Sequence, residues 1–181
     1  FVAEGPKVIL ELLGDGSFNC SALYALAQWV DSIDNNHISN LGNRLTIVES
    51  FELEKIANYM TPNAAVAVFE KKQQKLLPEL QNEITLLLDN IQDTGNLGTI
   101  IRTADWFGIK QIVCSENTVD MYNSKVVQST MASLGRVSVV YTDLLTWLNQ
   151  NPSIIKYATV VEDGVSLKQM NKKDGCIVMI G

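Results

Sequence analysis

A chain of 181 residues that is 46% hydrophobic and 19% charged can build one large domain or two small ones. No apolar run approaches the ~20 residues of a membrane-crossing helix, and Glu4, Lys7 and Glu11 break the first apolar stretch, which argues against a membrane partner and a signal peptide. The net charge of −6 argues against a nucleic-acid partner, since such proteins display a basic face, although net charge can hide a local patch.

In chain order, Val8, Ile9, Leu12 and Leu13 have helical spacing, so residues 1–14 read as a helix stopped by Gly14-Asp15-Gly16. An apolar strand follows at Ser21–Ala27, then a helix-like segment around Trp29–Asn35, a turn at Asn40–Asn43 and a strand at Leu45–Val48. Ser50 is placed to cap the next helix, with Leu53, Ile56 and Met60 inward. Thr61-Pro62-Asn63 breaks that helix before a buried strand at Ala64–Phe69. This order describes a small α/β unit.

Glu70-Lys71-Lys72-Gln73-Gln74-Lys75 is the most polar run in the chain. It reads either as a solvated face or, the favoured reading, as a boundary, giving a small domain at 1–70, a linker at 71–83 and a larger domain at 84–181. Strands are expected there at Thr85–Leu88, Gln111–Cys114, Val137–Tyr141, Tyr157–Val161 and Cys176–Ile180. Helices are expected at Leu97–Phe107, Ser124–Leu134 and Leu144–Asn149. Such alternation implies a mostly parallel sheet with right-handed crossovers. Cys20, Cys114 and Cys176 are far apart in apolar segments and read as buried thiols of a reducing, cytoplasmic setting. With one histidine, His37, in a polar loop, no metal is expected.

The chain is organised around Ile84–Gly108, an apolar strand leading through Asp93, Gly95 and Gly98 into a helix. Gly95 and Gly98 allow unusual backbone angles and close approach. In open α/β sheets ligands bind at the edge where such turns lie. Asn96 reads as a helix cap, a substrate-orienting amide, or both. Arg102 is either paired with Asp105 or Asp93, or is a free cation awaiting a phosphate or an oxyanion. The segment lacks both G-x-G-x-x-G and the Lys-Ser/Thr of a P-loop, so hydride transfer and nucleotide hydrolysis are weak readings.

The run Asp89, Asp93, Gly95, Asn96, Leu97, Gly98, Arg102, Thr103, Ala104, Asp105, Phe107 and Gly108 resembles the first signature motif of the SpoU-type RNA 2′-O-ribose methyltransferases, within the trefoil-knot superfamily. Thr94 stands where that family commonly has Pro, and Ala132, in a following helix that is similar to the family's, stands where Gly is usual. Phe1, Glu4, Gly5 and Lys7 resemble the start of the family's small RNA-binding domain, and Glu162–Leu167 the loop leading to the knot.

The resemblance implies a small N-terminal α/β RNA-binding-like domain followed by a mostly parallel-sheet, knotted-methyltransferase-type α/β domain. It also implies methyl transfer from S-adenosylmethionine to a ribose 2′-hydroxyl of tRNA or rRNA by a homodimer. Arg102 and Asn96 would be its catalytic and RNA-binding residues. Gly181, Ile180, Thr159 and Ala158 would line the cofactor site, and no metal would be needed. Cys176–Gly181 matches only the start of the second motif, so the knot region is expected to be missing and the 181-residue piece inactive. The alternative is a non-catalytic RNA-binding or dimerisation module that retains the fold.

Overall fold

The computed structural model describes residues 1–34, 36, 38–58, 64–77, 83–169 and 175–181. Thr61-Pro62-Asn63, Met60 and His37 lie outside these residues.

The first half runs β1 (Val2–Glu4), α1 (Pro6–Asp15), β2 (Cys20–Ala25), α2 (Ala27–Ser32), β3 (Leu45–Ile47), α3 (Ser50–Ile56) and β4 (Ala65–Phe69). Its sheet has the order β1-β4-β2-β3, with β4 antiparallel to both neighbours and β2 parallel to β3. The expected helix over 1–14 thus begins late, and its first residues form β1. Gly5, at φ 90°, takes a turn open to glycine, and Pro6 then starts α1, where its missing N–H goes unneeded. Ser50 is not the cap of α3. Glu49 is, in a reciprocal box with Glu52, and Ile56 faces solvent while Leu53 is buried.

The second half runs β5 (Ile84–Leu88), α4 (Thr94–Trp106), β6 (Gln111–Cys114), α5 (Ser124–Thr130), β7 (Ser138–Tyr141), α6 (Leu144–Gln150), β8 (Lys156–Ala158) and β9 (Cys176–Ile180). All pairings are parallel, in the order β7-β6-β5-β9-β8. α5 stops at Thr130 rather than Leu134, because Met131 and Ala132 take left-handed angles (φ 50° and 71°). The hydroxyls of Ser129 and Thr130 donate to carbonyls three and four residues back, where they compete with the helix ladder. Ala132 therefore occupies a conformation that favours glycine, which explains why Gly is the usual residue in the motif it resembles.

Burial divides the parallel sheet into two faces. Leu88, Ile112, Cys114 and Val139 pack with Leu97, Ile101, Val126 and Val127 of α4 and α5, and this core continues without a break into Ile9 and Leu12 of α1 and Ala65 and Phe69 of β4. Leu87, Val113 and Ile177 meet Trp147 of α6 on the other face. Residues 70–77 lie between the two sheets in the chain. This segment is held by the Tyr122 hydroxyl, which accepts from Lys72 N and donates to Lys72 O, and by Leu77 N donating to the Gln111 side chain.

Candidate active site at the carboxyl edge of the parallel sheet

The turn after β5 is built by its neighbours. Asp89 N donates to Ile180 O at 2.9 Å, tying the exit of β5 to the end of β9. Asn90 sits at φ 55°, tolerable for its side chain, and its N–H donates to Ser115 Oγ at 2.8 Å. Val119 N donates to Ile91 O, so the loop after β6 holds the turn from the other side. Asp93 then caps α4, accepting from Asn96 N at 2.7 Å. Asn96 is therefore the capped residue and not the cap. Its amide side chain is exposed, and no hydrogen bond to it is found among the described residues.

Gly95 and Gly98 are both helical, so neither supplies an unusual backbone angle. A Cβ on Gly95 would lie 3.1 Å from Asp93 Oδ1, crowding the cap. One on Gly98 would lie 2.0 Å from Ser129 Oγ and 2.7 Å from Ser129 Cβ, so the molecule approaching closely there is α5. Gly108, at φ 73°, follows the last turn of α4 as expected of a helix terminator.

Arg102 is exposed on α4, roughly 12 Å along the helix from its start. Of the two readings of Arg102, the pairing with Asp105 does not occur: Asp105 accepts from Arg136 Nε at 2.9 Å and lies 2.7 Å from Arg136 Nη2. Burial alone would raise the Asp105 carboxyl, but the hydrogen bonds from Arg136 and Ser133 outweigh it and hold the carboxyl below its ordinary value. Asp93 is committed to capping. Among the described residues Arg102 has neither an ion pair nor a hydrogen bond. Arginine stays protonated in proteins, so this leaves a free guanidinium on the helix that follows β5.

Gly181, Ile180, Thr159 and Ala158 are brought together. Ala158 pairs with Met179 across β8 and β9, and Thr159 N donates to Met179 O at 3.0 Å. The Ile180 side chain packs on the core shared with α4, and Gly181 lies beside Asp89. The Ile180 carbonyl and the Thr159 amide are occupied by the sheet, so the groups open to a ligand are the Thr159 hydroxyl and the backbone of Gly181.

A cleft of about 460 Å³ opens at the same edge on the α6 side, lined by Asp89, Ser115, Thr142, Asp143 and Met179 among others. Sequence reasoning missed it, although residues just past the ends of successive parallel strands are the signal for such an edge. Asp143 caps α6 there, accepting from Thr146 N at 2.7 Å.

A parallel sheet with helices on both faces, with a capped helix start at its carboxyl edge and an unpaired arginine roughly 12 Å along that helix, defines the class as an open α/β domain whose ligand edge lies past β5 and β9. The model of the SpoU rRNA Methylase family matches residues 83–181, and the chain belongs to that family. The 23S rRNA (guanosine(2553)-2′-O)-methyltransferase RlmP of Bacillus subtilis is 29% identical over 123 residues, 67% of this chain and 48% of the relative. Human mitochondrial rRNA methyltransferase 3 is 24% identical over 143 residues, 76% of this chain and 34% of the relative. The chain thus spans half or less of these proteins. Among solved structures, a proposed TrmH-family RNA methyltransferase from Porphyromonas gingivalis is 32% identical, with a TM-score of 0.79 over 100% of this chain and 71% of that one. An rRNA methyltransferase from Sinorhizobium meliloti, at 24% identity and TM-score 0.83, shares the fold over 99% of this chain and 69% of that one.

Proposed function

We propose that this chain is the substrate-binding and catalytic part of an S-adenosylmethionine-dependent RNA 2′-O-ribose methyltransferase acting on tRNA or rRNA. The observation that carries the reading is Arg102, a free guanidinium within the family's motif, on the helix that follows the strand beside β9. Family membership and the 2′-O-methyltransferase activity named for the Bacillus relative support it.

A ribose hydroxyl is a poor nucleophile near neutral pH, so catalysis must orient it and stabilise the alkoxide that forms. Arg102 is suited to bind a backbone phosphate and to meet that developing charge, whereas a protonated guanidinium cannot act as the base. The exposed Asn96 amide, fixed through its own backbone by the Asp93 cap, can orient the ribose. The edge formed by Ala158, Thr159, Ile180 and Gly181 fits the cofactor. Ala158, Thr159 and Gly181 are small, a Cβ at Gly181 would already stand in ordinary contact with Asp89 at 3.4 Å, and the Thr159 hydroxyl is open. When bound, S-adenosylmethionine supplies an electrophilic methyl group.

We further propose a homodimer. Trp106 and Phe107, at the end of α4, are 85% and 74% exposed, an unusual cost for a helix end left facing water. Three free and buried thiols support a cytoplasmic setting.

The test is to incubate the full natural protein with labelled S-adenosylmethionine and deproteinised tRNA and rRNA. Label is expected in nucleotides that resist alkaline cleavage, as 2′-O-methylated linkages do. Cofactor binding with no transfer to any RNA would favour the non-catalytic module.

A further inference from the structure

The amino edge of the parallel sheet, opposite the site above, carries a second feature. A cleft of about 560 Å³ lies between residues 72–77 and the starts of β6 and β7, and its lining includes Lys72, Lys75, Lys110 and Arg136. Ser17, Gln73, Gln74 and Ser138 supply polar groups, and no acidic side chain is among the described residues that line it. Four of the chain's 14 basic residues therefore converge in one place on a protein of net charge −6.

The four cations differ in how far they are neutralised. Arg136 is held by Asp105 at 2.7 Å and by Asp15 at 3.6 Å, and so acts mainly as a fixed wall. Lys110 is exposed and has no ion pair or hydrogen bond among the described residues. Lys72 and Lys75 are exposed, and their ammonium groups have no ion pair or hydrogen bond among the described residues. Their backbone is fixed nonetheless, through Tyr122 at Lys72 and through Ser138 Oγ donating to Lys75 O at 3.0 Å. Exposed, unpaired ammonium groups on an anchored strap, flanked by amides, suit the spaced charges of a phosphate backbone better than a single buried anion.

We propose that this cleft contacts the phosphate backbone of the RNA substrate and positions it, supplying the basic patch that the overall charge conceals. The proposal rests on the reading of the chain as an RNA-modifying enzyme. The strands between the cleft and the carboxyl edge have four or five residues, about 13–17 Å, a distance that a folded RNA bridges.

The test compares the full natural protein with a K72Q/K75Q/K110Q variant and with a K125Q/K156Q/K168Q control of equal charge change, whose lysines are exposed and lie outside both the cleft and the N-terminal domain. Binding to deproteinised rRNA and to tRNA is measured across a salt series. Each lost phosphate contact removes roughly 0.7–0.9 from the slope of log affinity against log salt. The cleft variant is expected to lose about 2 from that slope and roughly 10-fold or more in affinity at low salt, with the control nearly unchanged. Equal behaviour of wild type and cleft variant, or equal weakening in both variants, would overturn the proposal. If wild type methylates RNA while the cleft variant binds as before, the proposal falls and the functional reading stands. If RNA binds through the cleft with no methyl transfer, the reading falls and the proposal stands. Absence of any RNA binding would end both.

Discussion

Two charged residues three positions apart on α4 have opposite fates: Asp105 is bound by Arg136 and Arg102 is bound by nothing described. The first is a structural tie between α4 and the turn before β7. D105N should destabilise the fold by about 1 kcal/mol at neutral pH, measured by urea unfolding. The folded Asp105 carboxyl lies below its ordinary value, so its contribution is complete above about pH 4 and is lost as pH falls through the folded value. The gap between wild type and variant should therefore shrink on going from pH 7 to pH 3; a constant gap would deny the ion pair that role. From sequence alone Asp105, three residues on, and Asp93 are equally open as partners of Arg102, and a free Arg102 is open too, because Arg136 is 31 residues from Asp105 and only packing brings it near. Asn96 was misread as the cap for a related reason. Asp93 and Asn96 are both good caps, and the structure uses the first, which starts the helix three residues earlier.

At the scale of elements, β6 and β9 match their expected limits and β5 begins one residue early, because short apolar runs bounded by turn residues are what parallel strands look like in sequence. β1 was not legible, since three residues paired with β4 carry no period. The shortening of α5 was not legible either, because left-handed angles at Met131 and Ala132 run against residue preference. Gly98 records the tightest contact between elements. G98A should force α4 from α5, lowering stability by about 1–3 kcal/mol and Tm by a few degrees per kcal/mol. Adding S129G removes the hydroxyl and its Cβ and should restore part of the loss. A G98A protein as stable as wild type would show that the helices separate at no cost.

For the whole molecule, the family and its motif were legible because a dozen side chains and glycines recur at fixed spacing. The cleft at the amino edge was not, because Lys72, Lys75, Lys110 and Arg136 meet only through the fold. The exposed pair Trp106 and Phe107 belongs to this scale. If it is covered by a second copy, W106D/F107D should sediment as a monomer where wild type sediments as a dimer, and equal masses would remove this face from assembly.

The role proposed for Arg102 is to act on RNA. It is tested most directly by single-turnover methyl transfer to a substrate RNA by the full natural protein and its R102A variant, alongside calorimetric binding of S-adenosylmethionine. Transfer should fall by about 10²-fold or more while cofactor affinity stays close to that of wild type. A transfer rate within a few-fold of wild type, or a parallel collapse of cofactor binding, would contradict it.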